Sequence, residues 1–462
     1  MRREASLDRP LSTAAPALSP PAHRAESAPA IWALAWPVIA TFSLESLVGL
    51  VDMLMVGRLG ADAVAAVGVG AQILGAVGVA MTAVGTGTVA LVARHIGARH
   101  VHAAEETTLQ SIFAALALSV LAVVPVLVWA PAVVRAFGVV PEVVDLGVAF
   151  VRRVMLAVPP GAVMFVVASG LRGAGDTRTP LAIGMTVNVI NVTVGYVLIF
   201  GKLGFPALGV VGSATGTVVA FVAGALLGVL LLGRGRLQLR IRWTWPRLPV
   251  IRRVLAVGYP SGLEQLLMQV GFLLYVVFAA RHGTSAVAAY FIGVKILALS
   301  FLPGFGFAAA AATLVGQNLG ARAPQLAARS GWEATRLAVT VMTAAGVVIF
   351  VAARPIARAF VDDPEVVADA VAFIRILAAA QPLMAIDFTL GGALRGAGDT
   401  RFPLVAVLVA FYGCRLGFAW VATYALGLGL IWLWLAIIGD YVARVLLKGW
   451  RFRSGRWQHV VV

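Results

Sequence analysis

The sequence predicts an all-α integral membrane protein: about twelve transmembrane helices in two six-helix lobes, related by a pseudo-twofold axis along the membrane normal. Three observations carry this. The first is a repeat. Arg-Gly-Ala-Gly-Asp-Thr-Arg occurs at Arg172–Arg178 and again at Arg395–Arg401, 223 positions apart. Pro37 and Pro260, Gly60 and Gly283, Gly97 and Gly320, Pro141 and Pro364, and Pro180 and Pro403 keep the same offset. The second is composition, with 61% apolar and 12% charged residues and a mean hydropathy of +0.95, where a soluble domain carries about 25% charged residues. The third is the placement of positive charge, which alternates from loop to loop.

A Pro/Ala/Ser-rich stretch with scattered charges, residues 1–30, reads as a disordered tail. It leads into an apolar run near 31–56, too long for a signal-peptide core. Runs near 64–93, 107–130 and 143–170 follow, with Arg94 and Arg99 closing the second and the repeated motif closing the fourth. The glycines of the motif suit a tight helix exit, and Pro180 suits the first turn of a fifth helix near 180–200. A sixth run near 208–232 ends at a basic linker, 233–250. The second half repeats the scheme near 254–280, 285–315, 331–352, 366–393, 403–425 and 428–448, before a tail at 451–462. The lobes are thus expected at 31–232 and 251–450. Each run can cross a hydrocarbon core of about 30 Å. Helices are the fitting structure, because barrel strands would show alternating segments of roughly ten residues. Six helices per half, an even number, make the repeats parallel, with the transport site between the lobes.

The net charge of +16 is topological. Arginines crowd the tails, the linker and every second loop, while the alternate loops carry only Arg58, Arg135, Lys202, Arg281, Arg354 and Arg358. By the positive-inside rule both termini and the linker are cytoplasmic, in a multi-pass protein of the cell inner (plasma) membrane. Nucleic-acid binding is not expected. The single cysteine, Cys414, excludes disulfides and cysteine-based metal clusters, and the six histidines lie in tails or loops. No phosphate-binding loop is present, so an ion gradient rather than ATP would drive transport. The expected partners are a small-molecule substrate and the lipid bilayer. The expected coupling ion is a proton or sodium ion, with no other cofactor, no metal and no obligatory protein partner; a monomer is expected.

An ionisable group inside a span is costly and is a functional candidate by default. Five acids qualify: Glu45, Asp52, Glu264, Asp387 and Asp440. Asp440, four residues before Arg444, reads as an interfacial i,i+4 pair. Glu45 and Asp52, seven residues apart, share one face of the first helix and are expected to line one cavity. A carboxyl there can exchange a proton or, when ionised, attract an organic cation. Those occupancies exclude each other, which is what antiport requires. Lys295 reads as a buried counter-charge to Glu264, with Asp387 completing a C-lobe polar site. Asn188, Gln72, Gln269, Gln381 and Arg415 are candidates for the cavity or for ties between helices. Phe42, Phe272, Tyr275, Tyr290 and Phe388 could stack on a flat cation. Arg172, Asp176, Arg395 and Asp399, from the repeated motif, read as cytoplasmic connectors, with an Asp–Arg bridge inside each turn. The functional alternative is a charge latch between the lobes.

The motif, the segment Val51-Asp52-Met53-Leu54-Met55-Val56-Gly57-Arg58-Leu59-Gly60, the segment Leu314 through Ala321 and the stretch Gly201 through Gly212 together resemble the multidrug and toxic compound extrusion (MATE) family. The likeness runs from about residue 30 to 450. It implies two six-helix lobes that export amphipathic, often cationic compounds in exchange for protons or sodium ions. Asp52 stands where the family has its first-helix aspartate. The places of the acids in sodium-coupled members are Met268 and Met384 here, with Glu264 and Asp387 one turn away. Methionine is a poor ligand for a hard cation, so proton coupling is favoured over sodium. Asn191 matches the fifth-helix asparagine of another branch and joins the cavity set, but the Asp expected four residues later is Gly195.

Three rival functions are weaker. A flippase for a lipid-linked precursor needs several arginines in its cavity, and only Arg152, Arg153, Arg375 and Arg415 are read inside the spans. An intramembrane enzyme lacks a metal-ligand cluster. A symmetric channel is at odds with Asp52 opposite Tyr275, Glu264 opposite Thr41 and Lys295 opposite Gln72 in the repeat.

Overall fold

The computed structural model describes residues 27–235 and 239–461. Most of the tail expected to be disordered lies outside the described residues. No strand occurs among the described residues, and 12 helices are long and apolar enough to span a membrane. In the first half these are α1 Ala28–Gly57, α2 Ala61–Gly97, α3 Val101–Val128, α4 Pro141–Ala174, α5 Arg178–Phe200 and α6 Val210–Gly233. In the second they are α7 Leu248–Ala280, α8 Thr284–Gly320, α9 Pro324–Val351, α10 Pro364–Gly396, α11 Arg401–Ala425 and α12 Leu430–Arg453. The chain is a multi-pass membrane protein.

The repeat is written into the element bounds. Helices α2 and α8, and α3 and α9, start and stop 223 positions apart, as do the short helices Ala130–Arg135 and Ala353–Arg358. Backbone detail follows the same ruler. Arg99 has φ 60° and Arg322 φ 58°, and Gly175 has φ 92° against 84° for Gly398. Gly175 takes the left-handed C-cap of α4, which only glycine occupies without strain. Proline opens α4, α9 and α10, where its missing N–H costs nothing. Asp363 caps α10 by accepting from the N–H of Glu365 and of Val366, at 2.9 and 3.2 Å.

The halves diverge at α11. Its partner α5 is a regular α-helix, but α11 winds as a π-helix over Leu408–Leu416 and Val421–Ala425. Long π segments are rare and cluster at functional positions. The core beside α11 is aromatic: Tyr275, Tyr290, Phe373 and Trp434 are buried, with the Phe373 and Trp434 centroids 4.3 Å apart. The N-lobe cores are mainly aliphatic.

The lobes join at the end where α1 begins and α12 finishes. The first helix of each half starts against the other half: Ile31 and Ala35 of α1 lie in the C-lobe core, and Val254 of α7 lies in the N-lobe core. Helices α2 and α8 cross through paired glycines. A Cβ on Gly97 would sit 1.9 Å from the Gln317 carbonyl oxygen, and one on Gly320 would sit 2.1 Å from that of Arg94. Polar contacts gather at the same end. Thr313 Oγ1 donates to the Arg172 carbonyl at 2.8 Å and Gln317 Nε2 to that of Gly173 at 3.0 Å. From the other side, Arg94 Nη2 donates to the carbonyls of Ala397 and Val460 at 3.0 and 2.9 Å. At the opposite end α1 and α7 present large apolar side chains that stay exposed, among them Leu50, Leu54, Leu266 and Leu273.

Candidate functional site

Three cavities lie within and between the lobes, neighbouring ones sharing lining residues. The N-lobe cavity, about 380 Å³, is lined by α1, α2, α4, α5 and α6 and holds Glu45, Phe42, Phe165 and Arg172. The junction cavity, about 180 Å³, shares Phe42, Phe165 and Arg172 with it and adds Phe305 and Arg395 from the C-lobe. The C-lobe cavity, about 310 Å³, shares Phe305 and Arg395 and adds Glu264, Met268, Asp387, Arg444 and Lys448.

The C-lobe site is a buried ion network. Lys448 Nζ lies 2.6 Å from Asp387 Oδ1, and Arg444 Nη1 lies 3.8 Å from Asp387 Oδ2. Arg444 also grips Asp440 with both Nε and Nη2, at 2.6 and 3.0 Å. On the far side of Asp440, Arg415 Nη1 stands 3.7 Å from Oδ2. Among the described residues the Nε and Nη2 of Arg415 have no hydrogen-bond acceptor, and its guanidinium instead lies over the rings of Tyr275 and Phe411, at 4.2 and 5.0 Å. The π-wound stretch of α11 carries Arg415 into this position. Arg395 Nη1 meets Glu264 at 3.3 Å. Gly391 leaves the room: a Cβ there would lie 3.1 Å from Lys448 Nζ and 3.4 Å from Arg395 Nη2.

Several expectations need correction. Lys295 does not pair with Glu264; it is exposed on α8, and Arg395 takes the Glu264 contact. The Asp440–Arg444 pair forms but is buried rather than interfacial, because the apolar stripe of α12 through Leu433 and Ile437 continues through Asp440, Arg444 and Lys448. Tyr275 is fully buried, its hydroxyl donating to the Leu433 carbonyl, and it lines none of the three cavities. Glu45 and Asp52 are separated: Glu45 faces the N-lobe cavity, whereas Asp52 lines none of the three. Asp52 makes no side-chain hydrogen bond or ion pair among the described residues. Gln72 and Gln269 are exposed and Asn188 half-buried, all outside the three cavities. Asn191 is buried, its Oδ1 without a hydrogen-bond partner among the described residues, on the side of α5 that meets Met55 of α1. Phe388 lines the C-lobe cavity, packed on Phe301 at 4.9 Å and Phe305 at 5.2 Å.

The repeated motif is more than a pair of connectors. Its first arginine, Arg172 or Arg395, faces the cavities. Its aspartates do not bridge to those arginines. Asp176 instead caps α5, accepting from the N–H of Arg178 and of Thr179 at 3.1 and 3.0 Å. Asp399 instead accepts from Arg451 Nε of α12 at 2.7 Å. Sequence reasoning assigned Arg172, Arg395, Arg444 and Lys448 to loops and ends; the signal for the last two was the four-residue spacing from Asp440.

The charge inventory is balanced rather than acidic. Glu45, Glu264 and Asp387 face the cavities with Arg172, Arg395, Arg444 and Lys448.

A family model described as MatE matches residues 37–197 and 260–421, one stretch in each half. A probable multidrug resistance protein NorM of Thermotoga maritima is 31% identical over 432 residues, 92% of each chain. A protein of the same description in Burkholderia pseudomallei is 30% identical over 457 residues, 95% of each chain. A crystal structure of MATE in the bent conformation superposes with a TM-score of 0.86 at 25% identity, covering 94% of this chain and 97% of that one.

Proposed function

The chain belongs to the multidrug and toxic compound extrusion (MATE) family of transporters, and on that footing we propose that it is a proton-coupled antiporter. It exports amphipathic compounds across the plasma membrane, with both termini cytoplasmic, by alternating access of its two lobes. It works as a single chain without a cofactor.

The carrying observation is the partnering of the five intramembrane acids. Glu264, Asp387 and Asp440 are each matched by a cation, whereas Glu45 and Asp52, both on α1, have no ion-pair partner among the described residues. A carboxyl within a span that forms no ion pair is the one that gains from taking up a proton. Glu45 can release that proton to receive the cationic group of a substrate in the N-lobe cavity. Sodium is disfavoured where relatives of the sodium-coupled type would bind it: Met268 Sδ is 3.5 Å from Arg444 Nη2, so the ion would meet a thioether and a guanidinium. With cytoplasmic termini, closure at the terminal end makes the present state outward-facing.

Everted membrane vesicles carrying the full chain, offered a fluorescent amphipathic cation, test this with proton and sodium gradients applied separately. Uptake that a protonophore collapses and sodium leaves unchanged is expected; sodium-driven uptake overturns the proton assignment. The cavity-facing Arg172, Arg395, Arg444 and Lys448 favour a second reading, a flippase holding a lipid-linked phosphate. Absence of uptake under either gradient, with translocation of a lipid-linked precursor, would establish that reading instead.

A further inference from the structure

We propose that the junction cavity is an anion subsite, in which Arg172 and Arg395 together hold the carboxylate, sulfonate or phosphate group of an amphiphile. Its role in export rests on the transporter reading above; the binding itself does not.

Among the described residues no acid lines this cavity. Its charged residues are two arginines, one from each half and 223 positions apart, so the duplication aims the same donor at one chamber from both lobes. Arg172 makes no ion pair among the described residues. Its Nη2 donates to Ser169 Oγ at 3.3 Å, and its guanidinium lies 5.8 Å over the Phe165 ring. A guanidinium has five N–H donors and never deprotonates, so most of the bonding capacity of Arg172 is unused in a chamber walled by apolar side chains and the hydroxyls of Thr82, Thr86 and Ser169. Taking such a charge from water is costly unless an anion meets it, and Glu45, which shares the adjoining N-lobe cavity with Arg172, forms no ion pair with it. Arg395 touches Glu264 through Nη1 alone, in long contacts of 3.3 and 3.4 Å, and keeps its other nitrogens for a second acceptor. Paired planar forks suit carboxylate and phosphate geometry.

The surroundings define the rest of the ligand. At about 180 Å³ the chamber fits a head group and little more. Phe42 and Phe165 also line the adjoining N-lobe cavity of about 380 Å³, where Leu74, Met81, Met164 and Phe221 offer an apolar bed with Glu45 at one side. The geometry therefore fits an apolar body with an anionic end. Because one arginine comes from each lobe, a bound anion also bridges them. Two sources share this chemistry: a soluble organic acid and the headgroup of an anionic lipid.

The full chain in phosphatidylcholine nanodiscs, titrated calorimetrically with 2-naphthoate or with 2-naphthylmethylammonium, separates charge from ring. Naphthoate is expected to bind, and Arg172→Gln to weaken it roughly tenfold or more without weakening the ammonium ion. Glu264→Gln, which frees Arg395, is expected to tighten naphthoate; should Arg172→Gln fail to fold, this variant decides alone. Nanodiscs containing phosphatidylglycerol distinguish the sources. Weaker naphthoate binding there supports the site with a lipid headgroup as occupant, and unchanged binding supports it with a soluble acid. Naphthoate affinity that neither substitution moves, or that Glu264→Gln lowers, overturns the proposal. These titrations use no gradient, so a chain that binds naphthoate yet moves nothing in vesicles would refute the exporter reading and leave the subsite standing.

Discussion

Asp440 is fully buried, and two guanidinium groups converge on it. Removing one partner of a buried ion cluster leaves the others unpaired, at a cost of about 3–5 kcal/mol. Asp440→Ala is therefore expected to lower the thermal unfolding midpoint markedly in detergent solution, with Asp440→Asn less severe because an amide still accepts one bond. Asp52 should behave in the opposite manner. It has no partner to abandon, so Asp52→Asn is expected to abolish gradient-driven efflux while stability changes by less than about 1 kcal/mol. Full efflux from that variant would remove Asp52 from the mechanism. The acids were legible in the sequence because a carboxylate stands out in an apolar run. Their partners were not. Arg444 and Lys448 stand at the end of the last apolar run and look like interfacial charges until α12 is seen to bury them, and no local pattern tells Asp387 that its cation lies 61 residues away.

At the scale of elements, the crossing of α2 and α8 is set by the absence of side chains. Gly97→Ala would drive a methyl group into the Gln317 carbonyl, which lies 1.9 Å from the Cβ position. Overpacking of this kind typically costs about 1–3 kcal/mol, and here it also forces the lobes apart at their joint. Gly75→Ala on the same helix meets nothing within 4 Å and should be neutral. Comparing the two by thermal unfolding and by vesicle efflux tests the crossing; equal behaviour would mean that the joint tolerates separation. Helix bounds were largely readable, since proline, glycine and charge recur at one offset. The π winding of α11 was not, because what favours it comes from elsewhere: Arg415 must reach Asp440 on α12 and Tyr275 on α7.

The whole molecule is two lobes clasped at one end. A Cβ on Gly262 of α7 would lie 3.1 Å from that of Ala83 on α2, near the 3.5–4.5 Å that a disulfide needs. In a Cys414→Ser background, oxidised Ala83→Cys/Gly262→Cys is expected to stop transport and a reductant to restore it. Transport that persists in the cross-linked protein would show that this end never parts. The two-lobed plan was visible in the duplicated motif, but which residues form the clasp was not, since Arg94, Thr313 and Gln317 reach backbone carbonyls of the opposite half. The ion network has a mechanical consequence as well. It rivets α7, α10, α11 and α12 together in the second half, while among the described residues no ion pair joins two spanning helices of the first. Two halves cut from one pattern thus differ in how they are tied, and in the alternating-access cycle proposed above the second is expected to act as a stator while deformation falls to the first.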